Sequence, residues 1–190
     1  MELPDFTLPF LGRREYLHGT TLFDALLPLL PPDAEIIFKF SHMIRSNRVA
    51  VGATAGDASL AWKSASNGPG ALHVRPLPAV EPIERRPYPE PLVGDCAEVL
   101  GKSARYEGES PFGFVSTIIP LHKALLAANI RSEAPGQWVF TRLDLERRPA
   151  SFQSIELQLA GVFQGQLAHS RILVEGTPLG SIYFSWLARS

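Results

Sequence analysis

The sequence predicts an α+β fold in which an antiparallel sheet wraps around two apolar helices. Three observations predict it. Two apolar helical stretches stand far apart in the chain, and each is followed by three or four stretches of strand-like alternation. Short turns, not helical crossovers, link those stretches, which is the mark of antiparallel pairing. A proline-rich segment separates the two runs.

In the first run, residues 21–30, "TLFDALLPLL", are apolar nearly all round, as a buried helix is. Thr21 fits its N-cap, and Asp24 stands three positions on, where a capping-box acid sits. Pro28 and Pro31-Pro32 keep it short. Residues 34–44 alternate Phe38, Phe40, His42 and Ile44 against Lys39, Ser41 and Met43, which predicts a strand. Residues 48–53 continue it after a turn at Ser46-Asn47, and 58–65 and 71–77 add two further strands in a meander.

Residues 76–91, "PLPAVEPIERRPYPEP", hold six prolines in sixteen positions. Proline blocks helix and central strand alike, so this is an extended connector. In the second run, 110–130 enters a helix with Thr117 as its N-cap and Pro120 in its first turn. Residues 137–148 and 152–163 alternate as strands, the latter with Ile155, Leu157 and Leu159 on one side. "EGTPLG" between two further strands is a hairpin turn. Phe38, Phe40, Trp62, Trp138, Ile155, Leu157, Phe184 and Trp186 are the expected core.

The order helix-then-strands therefore recurs, in halves of approximately 14–77 and 110–188 joined by the connector 76–91. At 190 residues, 45% hydrophobic and 19% charged, the chain is expected to form a single domain, 1–190. Such a chain buries about 70% of its unfolded surface and folds without disulfides or metals. A net charge of −1 gives no global attraction to nucleic acid. No run approaches the roughly 18 apolar residues of a membrane span. The single cysteine, Cys96, and the lack of a basic, apolar leader in "MELPDFTLPFLG" predict a cytoplasmic setting. Cys96 lies beside Asp95 and Glu98 and reads as structural. The pairs Arg13-Arg14, Arg85-Arg86 and Arg147-Arg148 read as solvated surface.

No HExxH, CxxC, P-loop, Rossmann or GxSxG pattern occurs, so no metal and no cofactor are expected. The stretch "LHGTTLFDALL", 17–27, draws attention instead: a histidine and a glycine enter an apolar helix that carries one aspartate. The element order over 14–188 resembles a double hotdog, and the His-Gly pair is similar to the one with which some MaoC-like hydratases enter their central helix. The other layout considered is chorismate-lyase-like. The hotdog resemblance implies an enzyme acting on an acyl thioester of coenzyme A or an acyl-carrier protein, as hydro-lyase or thioesterase. It implies His18 and Asp24 as acid/base groups, with Gly19, Thr20 and Thr21 binding substrate. The unsatisfied N–H groups and dipole of a helix start suit a polarised thioester carbonyl. The closely spaced Asp, Pro and His of MaoC-like hydratases are absent upstream of His18, as are "GHFP" and "HVNN" stretches. The alternative is a catalytically silent binding or scaffold protein of the same fold; a homo-oligomer is compatible with either. In structural terms Asp24 is a cap and His18 a loop residue bonded to backbone. His42 reads as a core histidine, while His73, His122 and His169 read as solvent-facing.

Overall fold

The computed structural model describes residues 4–53, 55–88, 90–108, 110–131, 135–149 and 151–188. The chain divides into two compact units, Met1–Tyr88 and Pro89–Ser190. Each pairs an antiparallel sheet with an apolar helix, the α+β arrangement expected from the alternation.

The first unit contains β1 (Asp5–Thr7), β2 (Phe10–Leu11), α1 (Gly19–Leu26), a 3-10 turn (Leu27–Leu29), β3 (Glu35–Phe40), β4 (Arg48–Gly52), β5 (Ala58–Ser64), β6 (Gly68–Pro76) and β7 (Arg85–Arg86). Its sheet runs β1-β4-β6-β5-β3, and β2 and β7 form a separate parallel pair. Helix α1 is only eight residues long, too short to persist alone in water, so its packing must hold it. Leu22, Phe23 and Leu26 are fully buried, and the Phe23 ring leans on Phe38 of β3 at 5.4 Å.

The second unit contains α2 (Glu90–Asp95), β8 (Glu98–Leu100), β9 (Ser103–Glu107), α3 (Phe114–Asn129), β10 (Gly136–Leu145), β11 (Ser154–Phe163), β12 (Leu167–Val174) and β13 (Thr177–Ala188). Its sheet runs β10-β13-β12-β11-β9-β8. The "EGTPLG" turn is as expected: Val174 faces Thr177 across Glu175 and Gly176, whose φ values of 50° and 73° suit a tight hairpin.

The repeat is closer in order than in topology. Each helix is followed by four strands, ordered β3-β5-β6-β4 in one unit and β10-β13-β12-β11 in the other, so the two middle strands exchange places. The meander expected in the first unit is therefore found only in the second, as β11-β12-β13. Strand β4 does not continue β3; it pairs with β1 and β6.

Several expectations fail for identifiable reasons. Thr21 and Thr117 are not N-caps: α1 begins after His18 and α3 after Gly113. Pro120 consequently lies in the interior of α3, not its first turn. His42 is exposed and meets Asp57 at 3.3 Å, because β3 ends at Phe40 and the alternation ends with it. Cys96 is exposed and free. Of the expected core, Phe38, Ile155, Leu157 and Phe184 are fully buried. Phe40, Trp62, Trp138 and Trp186 are half-buried; they lie at or near strand ends. A bulge between Phe140 and Arg142 also breaks the simple alternation of 137–148.

The connector is anchored to the first unit by hydrogen bonds that its prolines leave available. Buried Asn47 donates to the Val80 carbonyl at 2.8 Å and accepts from the Val80 N–H at 2.9 Å. Leu77 N–H donates to Arg48, Phe10 N–H to Glu84 and Gly12 N–H to Arg86. These bonds carry the chain past α1 to Tyr88.

In α3, His122 is fully buried, not solvent-facing. Its Nε2 meets Ser170 Oγ of β12 at 2.9 Å, and its ring stands edge-on to Phe184 at 4.6 Å. Burial, with a smaller contribution from His169, pushes its pKa down to about 3. The unfolded chain takes up a proton near pH 6.5 that the folded chain refuses. Stability is thus lost as pH falls below about 6.5, at about 1.4 kcal/mol per pH unit from this group. Denaturant titrations at pH 7.5, 6.0 and 5.0 should show this slope, and His122→Leu should flatten it by about one proton. An unchanged slope in the variant would refute the assignment.

Candidate functional site

The start of α1 answers what His18 does. A helix leaves its first N–H groups without intrahelical partners. His18 is the N-cap, with φ −79° and ψ 144°, and its side chain accepts from Thr20 N. The Nδ1 lies 3.5 Å from Thr20 N and 3.1 Å from Thr20 Oγ1. The direction of the contacts with Thr20 Oγ1 and Tyr88 Oη follows the ring tautomer. Nε2 lies 3.0 Å from Tyr88 Oη, and the two rings stand edge-to-face at 5.0 Å. The imidazole thus holds the helix start with one nitrogen and the end of the connector with the other.

Tyr88 is the residue that sequence reasoning missed. It sits in "RRPYPEP", seventy positions from His18, and only the connector's anchoring brings the two together. Arg14 comes with it. Its guanidinium stands over the Tyr88 ring at 4.5 Å and over Tyr16 at 5.6 Å, and it donates a hydrogen bond to the Tyr16 hydroxyl. Arg85 donates to the carbonyls of Gly12 and Arg14 at 3.0 and 2.9 Å. Arg85 is exposed, as expected, while Arg14 is half-buried, contrary to expectation.

The remaining sequence candidates divide. Gly19 and Thr20 are buried, and Thr21 is half-buried as the third residue of α1. Asp24 stands one turn beyond Thr20 and Thr21, on the side of the helix they share. It is not a capping acid, because the helix begins two residues before Thr21. It also makes no hydrogen bond or ion pair to a described residue. Asp24 is exposed by surface area, yet desolvation raises its pKa from 3.8 to about 6. Among the described residues no donor or cation opposes the upward shift, and contact with water moderates its effect on stability. Among the described residues, no group of three or more His, Cys, Asp or Glu side chains could hold a metal.

A carboxyl whose folded-state pKa is raised favours folding only while it is protonated. Asp24 therefore weakens the fold as pH rises from about 4 to about 6. Asp24→Asn should raise the melting temperature at pH 8, and the difference should vanish below about pH 4. A lower melting temperature for the variant at every pH would restore the capping role.

No protein-family model matches the sequence, and no curated protein is significantly similar to it. Solved structures are similar at the level of fold. The bifunctional dehydratase-cyclase domain of ambruticin biosynthesis aligns with a TM-score of 0.50 at 14% identity, over 91% of this chain and 83% of that one. The dehydratase domain from the CurK module of curacin polyketide synthase aligns with a TM-score of 0.49 at 7% identity, over 92% and 83%. The dehydratase domain of PpsC from Mycobacterium tuberculosis, in complex with C12:1-CoA, gives 0.48 at 11%, over 90% and 85%. At such identities the first of these likenesses speaks for the fold and not for the reaction: the chain has the hotdog-type α+β fold of a dehydratase domain.

Proposed function

We propose that this protein processes acyl thioesters of coenzyme A or an acyl-carrier protein at the start of α1, acting as a hydro-lyase. The observation that carries the proposal is Asp24. It is a carboxyl on α1 with no hydrogen-bond or ion-pair partner among the described residues and a pKa raised to about 6, in the helix whose start carries buried His18 in contact with half-buried Tyr88. A carboxylate with a pKa near 6 is largely ionised at neutral pH and remains basic enough to accept a proton, which is what abstraction beside a thioester carbonyl requires. Elimination of water needs a base at Cα and an acid at the departing oxygen. Asp24 suits the first role and the histidine–tyrosine pair suits the second. The likeness to a dehydratase-cyclase domain in fold agrees with this choice. A thioesterase needs a water nucleophile instead of an acid at Cβ, and the same groups serve it less directly.

A second reading is favoured by a different observation. His18 is 7% exposed and both its nitrogens are engaged, as in a purely structural cap. On that reading the protein is a silent binding or scaffold member of the same fold.

Turnover separates the two. Wild-type protein offered a panel of 3-hydroxyacyl-CoA substrates should form the enoyl product. Asp24→Asn should reduce turnover by about 10² or more, the usual size of a lost general base, while remaining folded. Hydrolysis of the thioester without elimination would favour the thioesterase. No reaction with any thioester would favour the scaffold.

A further inference from the structure

We infer, building on the acyl-thioester reading above, that the arginines gathered at the turn before α1 bind the phosphates of coenzyme A, and that coenzyme A is therefore the carrier of the acyl group. Two arginine pairs far apart in sequence, Arg13-Arg14 and Arg85-Arg86, meet at one place. The parallel pairing of β2 with β7 sets Phe10 opposite Arg85 and Leu11 opposite Arg86, and Gly12 N–H donates to the Arg86 carbonyl at 2.8 Å. Nη1 of Arg85 bridges the carbonyls of Gly12 and Arg14 at 3.0 and 2.9 Å. The first of these carbonyls belongs to the peptide bond of Arg13 itself, so the Arg85 charge lies against the backbone that bears Arg13. The Arg14 guanidinium stands over the Tyr88 ring at 4.5 Å, and the Tyr88 hydroxyl meets His18 at 3.0 Å. The cluster thus runs from exposed Arg13 to the start of α1.

Its charge is not balanced. Residues 12–16 and 84–88 hold four arginines against two carboxylates, Glu15 and Glu84, on a chain whose net charge is −1. Glu84 pairs with Arg86 at 2.9 Å, but both side chains are well exposed, and such a pair holds weakly. The first turn of α1 adds no acid. Arg13 is exposed and has no hydrogen bond or ion pair to a described residue. A local excess of one sign concentrates the opposite ion, and planar guanidinium forks match phosphate oxygens in pairs.

Coenzyme A and an acyl-carrier protein both present the thioester on a pantetheine arm, but coenzyme A brings a pyrophosphate and a 3′-phosphate with it. A protein partner meets about 20–30 residues over roughly 800 Å² on each side, whereas these cations are concentrated on four residues. Adjacent phosphates on one small ligand match that concentration.

Binding to the full chain, measured by calorimetry at low salt, tests this with coenzyme A and with pantetheine, which keeps the thiol arm and lacks every phosphate. Coenzyme A should bind about 10²-fold more tightly or better, and its binding should weaken as salt is raised. Arg13→Gln and Arg86→Gln should each weaken it by about tenfold, the usual effect of losing a hydrogen bond between charged groups. Lys39→Gln, on the face of β3 opposite Phe38, should leave it unchanged. Both arginines are exposed, so melting temperatures should stay near wild type. Coenzyme A that fails to bind, binds no better than pantetheine, or binds both arginine variants as it binds wild type would show the inference to be wrong. ATP binding as tightly as coenzyme A would mark a general polyphosphate site, and binding of an acyl-carrier protein but not of coenzyme A would mark the other carrier; either overturns the assignment. Arginine-dependent binding of coenzyme A without turnover of any thioester would sink the hydro-lyase reading and leave this site standing. Turnover of 3-hydroxyacyl-CoA with a KM insensitive to both substitutions would do the reverse.

Discussion

The imidazole of His18 is the point on which the local order around the candidate site depends. Helix α1 is short and begins among buried residues, so its first N–H groups need an acceptor from the protein itself. His18 supplies one through Nδ1. The ring's other nitrogen, Nε2, meets the Tyr88 hydroxyl. One imidazole thus joins the capping of α1 to the placement of a tyrosine seventy positions away.

Tyr88 could not hold that placement from a floppy tether. The connector's prolines remove donors and rule out regular structure over most of it, yet the remaining groups are well used. Asn47 takes both polar atoms of the Val80 backbone, and the short parallel pairing of β2 with β7 secures the segment just before Tyr88. A segment that separates two sheets in sequence thus comes to rest, through Tyr88, against the cap of α1.

Two titratable groups on the two helices show how burial decides chemistry. Both are pushed toward their neutral forms, in opposite directions on the pH scale. His122 is sealed between α3, Ser170 and Phe184 and is driven to about 3, which leaves it neutral and structural under ordinary conditions. Asp24 keeps contact with water, and desolvation raises its pKa to about 6, where a small change in pH moves a proton. The first is a fastener between helix and sheet; the second is a group with chemistry available to it.

The sequence alone determined the α+β class, the two apolar helices in outline though not the short α2, most strands and the "EGTPLG" hairpin, and it drew attention to His18 and Asp24. These are local matters: alternation of period two, apolar runs bounded by proline, and turn residues with permissive backbones. Tertiary structure decided what depended on contacts between distant residues. It capped α1 with His18 instead of Thr21, ended β3 before His42, exchanged the middle strands of the first sheet and buried His122 despite its charged neighbour Lys123. It also carried Tyr88 to His18 across seventy positions. No periodicity encodes such a meeting, because it is set by where a proline-rich segment finds hydrogen-bond partners on a surface that exists only once the sheet has folded.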